Sequence, residues 1–154
     1  MKIISHRGNL TGRITDQENR PSYIQAAIDA GYEVEIDVWC VEEKFYLGHD
    51  EPQYFIEDSW LKDRSGLLWC HAKNEQALYR MLQLGLHCFW HESDRFTLTS
   101  KAIPWCFPNN YQPNGVTVVF GYEINIRDVF GVCTDYPLSW TAKICLEDWI
   151  SQHK

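Results

Sequence analysis

Short segments rich in apolar, β-branched and aromatic residues follow one another closely along this chain, and their spacing limits the folds open to it. Each segment has the length and composition of a β-strand. Some gaps between them carry a helical pattern, whereas several gaps in the second half leave no room for a helix. The expected main strands are Lys2–Ser5, Tyr32–Val38, Leu67–His71, His87–Trp90, Phe96–Thr99, Ile103–Phe107, Val116–Phe120 and Val129–Cys133, with Phe45–Leu47 as a short additional strand.

Helical patterns occur in the first half of the chain and at its end. Pro21–Ala30 has apolar residues at helical spacing, and Asn19 precedes it as a candidate cap. Asn74 is placed to cap a second helix, Glu75–Leu84, and Leu146–Ser151 is expected to close the chain. The strand–helix–strand order of the first half favours a parallel sheet.

These segments predict a single α/β domain that spans residues 1–154. Eight strands closed on themselves would form a (β/α)₈ barrel, but such barrels typically need ~250 residues. The barrel therefore requires several outer helices to be shortened or replaced by loops. An open α/β sheet with fewer strands competes with it, and the spacing alone leaves both architectures open.

Charge and composition argue against several classes of protein. The chain has 21 acidic and 14 basic residues and a formal net charge of −7, which disfavours a nucleic-acid-binding surface. No apolar run approaches the ~20 residues of a membrane span. Arg7 interrupts the N-terminus before a secretory signal could form, so we expect a cytoplasmic protein. The six cysteines are too widely spaced for CxxC pairs and are expected to be buried and reduced.

Glu35 and Asp37 carry the most informative chemical pattern. Side chains alternate across a strand, so both carboxylates of the strand Tyr32–Val38 face the same side. Adjacent carboxylates repel each other, and a hard divalent cation relieves that repulsion through oxygen coordination. The alternative interpretation is an amphipathic strand whose acidic face is simply solvated.

Histidines lie on both sides of this pair in the sequence. His6 ends the first expected strand, and His49 lies in the loop after the short additional strand. Imidazole exchanges protons near neutral pH, and Asp50 is placed to orient His49. Arg7 offers a planar fork of donors for a phosphate oxygen, or alternatively a salt bridge to Glu18.

The order and spacing of these residues resemble the signature of the glycerophosphodiester phosphodiesterase family. The resemblance covers roughly the first third of the chain, together with a last segment that resembles the family's final strand, whereas the middle matches poorly. It implies a compact (β/α)₈ TIM barrel, shorter than most members, with its site at the carboxyl ends of the strands. The matching segments are His6-Arg7-Gly8, Glu18-Asn19, Glu35-Ile36-Asp37, His49-Asp50 and Gly131–Pro137.

The resemblance also implies a role for each matching residue. The cation would stabilise charge on a phosphate oxygen, while one histidine acts as general base and the other as general acid. We favour His6 as the base and His49 as the acid. The corresponding residues are the catalytic His6 and His49, the metal ligands Glu35 and Asp37, the phosphate-binding Arg7, and the supporting Glu18 and Asp50.

The chain departs from the family pattern on the third strand. The family usually brings a third acidic ligand there, two residues before a lysine, and this chain reads His71-Ala72-Lys73. Lys73 fits as a phosphate-binding residue. His71 as a nitrogen ligand would shift the metal preference from Mg²⁺ or Ca²⁺ toward Mn²⁺ or Zn²⁺. Glu92 or Asp94 could instead supply the missing oxygen, and a nonfunctional site is the third alternative.

The implied activity is metal-dependent hydrolysis of a small phosphodiester, such as a glycerophosphodiester or a lysophospholipid-like molecule. A sphingomyelinase D-like or phosphoinositide phospholipase C-like enzyme is the second interpretation. A catalytically inactive barrel that binds phosphorylated ligands is the third. A trimmed barrel leaves apolar wall uncovered, and we expect either another subunit, in a homo-oligomer, or aromatic side chains to cover it.

Overall fold

The computed structural model describes residues 1–108, 110–121, 126 and 128–152. These residues form a sheet of ten strands and four helices. The strands are β1 (Lys2–His6), β2 (Glu33–Val41), β3 (Lys44–Leu47), β4 (Tyr54–Ile56), β5 (Leu68–Ala72), β6 (Cys88–Trp90), β7 (Phe96–Leu98), β8 (Pro104–Cys106), β9 (Val116–Val119) and β10 (Gly131–Thr134). The helices are α1 (Pro21–Asp29), α2 (Asp58–Asp63), α3 (Glu75–Gln83) and α4 (Pro137–Gln152).

Parallel strands make up most of the sheet. They follow the order β6-β5-β2-β1-β10-β9-β8, so the first and last strands of the chain pair at the centre. The strands β3 and β4 continue from β2 in antiparallel fashion, and β7 pairs antiparallel with β8. Because the central strands are parallel, their carboxyl ends share one edge of the sheet.

The two ends of the parallel series approach each other without a strand ladder between them. Among the residues described, strand pairing does not join β6 to β8, so the ring of paired strands is not closed there. The Phe89 ring on β6 stacks on Trp105 of β8 at a centroid distance of 4.5 Å. The Ser100 N–H donates to the Cys88 carbonyl at 2.8 Å. The predicted α/β class is confirmed, and the two ends of the series are in contact through a ring stack and a main-chain hydrogen bond.

The strand predicted at Phe96–Thr99 belongs to a hairpin rather than to the parallel series. The Thr99 N–H donates to the Ile103 carbonyl at 3.0 Å, and the Ala102 N–H donates back to the Thr99 carbonyl at 2.8 Å. Ala102 has a φ of +58°, a left-handed conformation typical of tight turns. This turn reverses the chain, so β7 runs antiparallel to β8.

Helices α1 and α3 lie where the sequence predicts them. Asn74 caps α3 by accepting the Ala77 N–H at 3.0 Å. Asn19 does not cap α1, because the cap position is Arg20 and the Asn19 side chain bonds elsewhere. The last helix begins at Pro137 instead of Leu146, with proline in its first turn. The short elements β4 and α2 were not predicted.

Alternation along β2 separates the core from the polar edge. Val34, Ile36 and Val38 are fully buried in the core cluster that also holds apolar residues of α1 and α3. Glu35 and Asp37 alternate with them and therefore face the opposite side of the sheet. On that side a second buried cluster, made of aromatic residues such as Trp105 and of aliphatic residues of β1 and β9, fills the interior.

Cysteine placement follows the sequence interpretation with one exception. Cys145 is exposed, and the other cysteines are buried; all six are free thiols. No helix in the described part of the chain combines the length and the apolar content that crossing a bilayer requires.

His87 precedes β6 and gives the fold a specific sensitivity to acid. Its ring lies 4.2 Å from the Trp69 ring, and its buried Nε2 has no hydrogen-bond partner among the described residues. Burial, with Lys101 adding to it, lowers the pKa of His87 to about 4. A lowered pKa means that the unfolded chain takes up the proton first, so stability falls as the pH drops from about 6.5 toward 4.

We expect His87→Phe to reduce this loss of stability in acid, because phenylalanine keeps the ring contact and removes the titrating group. Urea unfolding at pH 7 and at pH 4.5 gives the free energy of unfolding of both proteins. Between pH 7 and pH 4.5 the free energy of unfolding should fall more in the wild-type protein than in the variant. Equal decreases would show that His87 is not the source of the acid sensitivity.

Candidate active site

The carboxyl ends of neighbouring parallel strands and the loops after them line one cavity of about 630 Å³. The strands β10, β1, β2, β5 and β6 lie side by side there. Apolar residues, among them Trp105 and Phe120, line other parts of the cavity. The charged and imidazole side chains in its lining are those of His6, Arg7, Arg13, Glu35, His49, His71, Lys73, His91, Glu92 and Asp135.

Glu35, Asp37 and His71 form a compact group of ligand atoms at this edge. Two carboxylate oxygens and one ring nitrogen lie within 4.8 Å of one another. His71 Nδ1 is 3.2 Å from Asp37 Oδ1 and 3.8 Å from Glu35 Oε1. Strand register explains the contact, because Asp37 on β2 pairs with His71 on β5. The residue that replaces the expected third acid therefore reaches the same place.

The His71 ring is held with Nδ1 toward the two acids. Its Nε2 lies 2.8 Å from the backbone carbonyl oxygen of His91. A carbonyl only accepts, so Nε2 carries the proton and donates it. The ring also stacks on Phe89 at 5.1 Å and an interplanar angle of 7°. A ring that also carries a proton on Nδ1 pairs with Asp37 Oδ1 at 3.2 Å, whereas the neutral ring would offer its Nδ1 lone pair to a cation, the arrangement that metal-ligating histidines show.

Two oxygens of the acid pair are buried without hydrogen bonds. Glu35 Oε2 and Asp37 Oδ1 have no hydrogen-bond partner within the described ranges. Burial, and then the charge of Asp37, raise the pKa of Glu35. Burial would also raise the pKa of Asp37, but His71 and Arg7 outweigh it and hold that pKa below its usual range. Buried carboxylate oxygens without a hydrogen bond, beside a ring nitrogen, fit a divalent cation, with Mn²⁺ and Zn²⁺ favoured by the nitrogen.

The other oxygen of Asp37 is fixed by the loop after β1. Asn19 donates to Asp37 Oδ2 at 2.9 Å and accepts the Asp37 N–H at 2.9 Å. Arg7 Nε lies 2.8 Å from the same Oδ2. Arg7 and Asn19 have φ values of +54° and +62°, a strained conformation that occurs at functional sites. These contacts leave Oδ1 toward His71 and toward Lys73, whose Nζ is 3.6 Å away.

His6 lies on the far side of Glu35 and is oriented by Asp135. Its Nδ1 is 2.8 Å from Asp135 Oδ1, so Nδ1 donates to the carboxylate. Its Nε2 is 3.8 Å from Glu35 Oε2. Burial would lower the pKa of His6, but the hydrogen bond to Asp135 and the charge of Glu35 outweigh it, and the pKa is raised. Asn9 donates to the same Asp135 oxygen at 2.8 Å and steadies it.

His49 lies at the rim of the same cavity. Its Nδ1 is 2.7 Å from Asp50 Oδ1, as the sequence interpretation proposed for this pair. The His49 side chain is 41% exposed. Burial, and then the nearby charge of Arg7, lower the pKa of His49. The two histidines therefore have pKa values shifted in opposite directions, which suits one to give a proton and the other to accept one.

Glu18 supports the cationic side of the cavity. It accepts hydrogen bonds from Arg7 Nη1 at 3.3 Å and from Asn9 Nδ2 at 2.9 Å. Arg13 Nε is 3.3 Å from the same carboxylate. Glu18 also lies near His6 and Asp135 in a second group of ligand atoms. Since its oxygens already pair with these cationic and amide groups, that second group suits a metal less well than the first.

The structure brings most of the predicted site residues to one place and adds others. Asp37 and Glu18 are buried behind the lining, and Asp50 is exposed at the rim. Glu92 lines the cavity, but neither it nor Asp94 joins the described ligand groups. Asn9, Asp135 and His91 were not given roles from the sequence. Asp135 directly follows β10, and that position at a strand end is the signal that could have identified it.

Comparisons with protein-family models, with curated proteins and with solved structures give no match to this chain. The function proposed below therefore depends on the cavity geometry and on the motif resemblance.

Asp37→Asn should weaken Mn²⁺ binding at least tenfold, because it removes the charge of one proposed ligand at the centre of the group. Isothermal titration calorimetry measures the dissociation constant of Mn²⁺ for the wild-type protein and for the variant. Asp58→Asn is the matched control, since Asp58 pairs with Arg80 at 2.8 Å and does not line the cavity. Wild-type affinity in the Asp37 variant would exclude this group as the metal site.

Proposed function

We propose that this chain is a metal-dependent phosphodiesterase of the glycerophosphodiester phosphodiesterase type. Its Glu35, Asp37 and His71 would hold a divalent cation, and His6 and His49 would act as general acid and base. The observation that supports this most is the convergence of residues far apart in sequence on a single cavity. A chance set of solvated acids would leave Glu35 and Asp37 exposed, and both are buried.

We further propose that the fold is a trimmed (β/α)₈-type barrel. Support comes from the long parallel series, from the contact of Phe89 with Trp105 across its two ends, and from the site at the carboxyl ends of the strands. In this interpretation the hairpin of β7 and β8 takes the place of one strand–helix unit. A hairpin in place of a strand–helix unit makes the barrel shorter, which agrees with a chain of 154 residues.

The substrate phosphate would bind between the metal group and the cationic side chains. A bound divalent cation supplies Lewis-acid stabilisation of charge on a nonbridging oxygen. Arg7 and Lys73 line the cavity next to Asp37 and would hold the remaining oxygens. Asn19 and Glu18 do not touch the substrate in this scheme, and they keep Asp37 and Arg7 in position.

Proton transfer would involve the two histidines in opposite roles. The raised pKa of His6 favours its protonated form, so His6 Nε2 would give a proton to the leaving alkoxide. The lowered pKa of His49 favours its neutral form, so His49 would accept the proton of the attacking hydroxyl. This proposal reverses the assignment favoured from the sequence. Asp135 would stabilise the charged His6 ring.

The apolar part of the cavity bears on the substrate alcohol. Phe107 and Phe120 are exposed in the lining, where the Phe120 ring lies 6.1 Å from that of His6 and the Phe107 ring 5.6 Å from that of His91. A lysophospholipid-like diester would place apolar atoms against these rings, whereas glycerophosphocholine would leave them in water. We therefore place lysophospholipid-like diesters beside glycerophosphodiesters as candidate substrates.

Hydrolysis of bis(p-nitrophenyl) phosphate in the presence of Mn²⁺ tests the proposed activity. We expect a chelator to abolish turnover and added Mn²⁺ to restore it. With this substrate His49→Ala should lower kcat by ~10²–10⁴-fold, the usual contribution of one positioned base. The p-nitrophenolate leaving group needs no proton, so His6→Ala is assayed with glycerophosphocholine, whose leaving alkoxide does, and should there show a loss of the same size. His87→Phe, outside the cavity, should keep wild-type turnover. The proposal fails if either alanine variant, folded as judged by its Tm, retains activity within threefold of wild type on the substrate that tests it.

A further inference from the structure

One buried imidazole in the cavity lining takes no part in the scheme above. His91 directly follows β6 and is only 9% exposed. Neither its Nδ1 nor its Nε2 has a hydrogen-bond partner within the described part of the chain. An imidazole carries at least one N–H in every protonation state. Burying such a donor unpaired is unfavourable, so a group that occupies the cavity is the natural partner.

The position of His91 is fixed by its neighbours. Its ring centroid lies 5.6 Å from that of Phe107 and 6.5 Å from that of His71. Its backbone carbonyl accepts the His71 Nε2–H at 2.8 Å. His91 is therefore held next to the metal group through its backbone, while its ring remains available. Its ring nitrogens do not belong to the described ligand groups.

Other cationic groups of the cavity are already paired with carboxylates. Arg7 is ion-paired with Asp37 and Glu18, and Lys73 faces Asp37. His91 has no such ion pair among the described residues. A phosphate oxygen bound beside His71 could accept a hydrogen bond from the His91 ring, because that ring N–H is not already bonded to a carboxylate.

We propose that His91 is a substrate-contact residue whose ring N–H donates to a phosphate oxygen in the cavity. The inference rests on the proposed function for the identity of the substrate as a phosphodiester. It adds a phosphate contact on β6 to those from β1 and β5, so that the phosphate would be held from both sides of the metal group.

The test compares three variants of His91 with a matched histidine. His91→Phe keeps a ring against Phe107 and removes the donors, whereas His91→Gln and His91→Asn retain an N–H near Nε2 or Nδ1. His87→Phe is the control, because His87 also has a buried unpaired nitrogen but does not line the cavity. Calorimetry with inorganic phosphate on the Mn²⁺-loaded protein gives phosphate affinity, and Mn²⁺ titration gives metal affinity.

His91→Phe should weaken phosphate binding roughly tenfold or more, the effect of one hydrogen bond to a charged group. It should raise KM for bis(p-nitrophenyl) phosphate more than it lowers kcat, with Mn²⁺ affinity unchanged. Either the glutamine or the asparagine variant should restore phosphate binding to within threefold of wild type, and His87→Phe should match wild type.

The inference is wrong if His91→Phe binds phosphate within twofold of wild type, or if the wild-type protein binds no phosphate. It is also wrong if His91→Phe loses as much affinity for Mn²⁺ as it loses for phosphate. Phosphate binding that depends on His91 in a protein that hydrolyses no diester would support the contact and reject the proposed hydrolase. Failure of the contact and failure of the proposed function are thus distinguishable.

Discussion

The site depends on the contacts that compensate the buried charge of Asp37. A carboxylate without solvent must be compensated by its surroundings, and here the compensation comes from two other parts of the chain. Asn19 and Arg7 from the loop after β1 hold one oxygen, while His71 and Lys73 around β5 face the other. The fold therefore joins β1, β2 and β5 through one side chain, and the same side chain orients the proposed metal ligands.

Alternation along one strand explains why a core and a site fit into a short chain. Every second residue of β2 packs toward the helices, and the residues between them face the cavity side. A second buried cluster, which includes Trp69 and Trp105, fills the interior on the side of the sheet that the carboxylates face. Glu35 and Asp37 are themselves buried, and charges interact more strongly where water is excluded. Glu35 Oε2 and Asp37 Oδ1 accept no hydrogen bond from the described residues, and they are the oxygens that the proposed cation would use.

Local sequence patterns predicted most of the strands and most of the polar residues that meet at the cavity, because alternation and strand ends are local properties. Asn19 was interpreted as a helix cap, since the sequence does not show that Asp37 competes for its side chain. The direction of β7 was missed because it depends on the turn at Ala102. The pairing of Asp135 with His6 spans nearly the whole chain, and only the β1–β10 pairing brings them together. Whether His71 replaces an acid likewise depends on register between strands.

Anomalous diffraction from crystals soaked in Mn²⁺ locates the ion independently of activity. The proposed metal site predicts a single strong peak coordinated by Glu35, Asp37 and His71 Nδ1, with Asn19 still bonded to Asp37. A peak on His6, Glu18 and Asp135 instead, or no peak at the carboxyl end of β2, would contradict it.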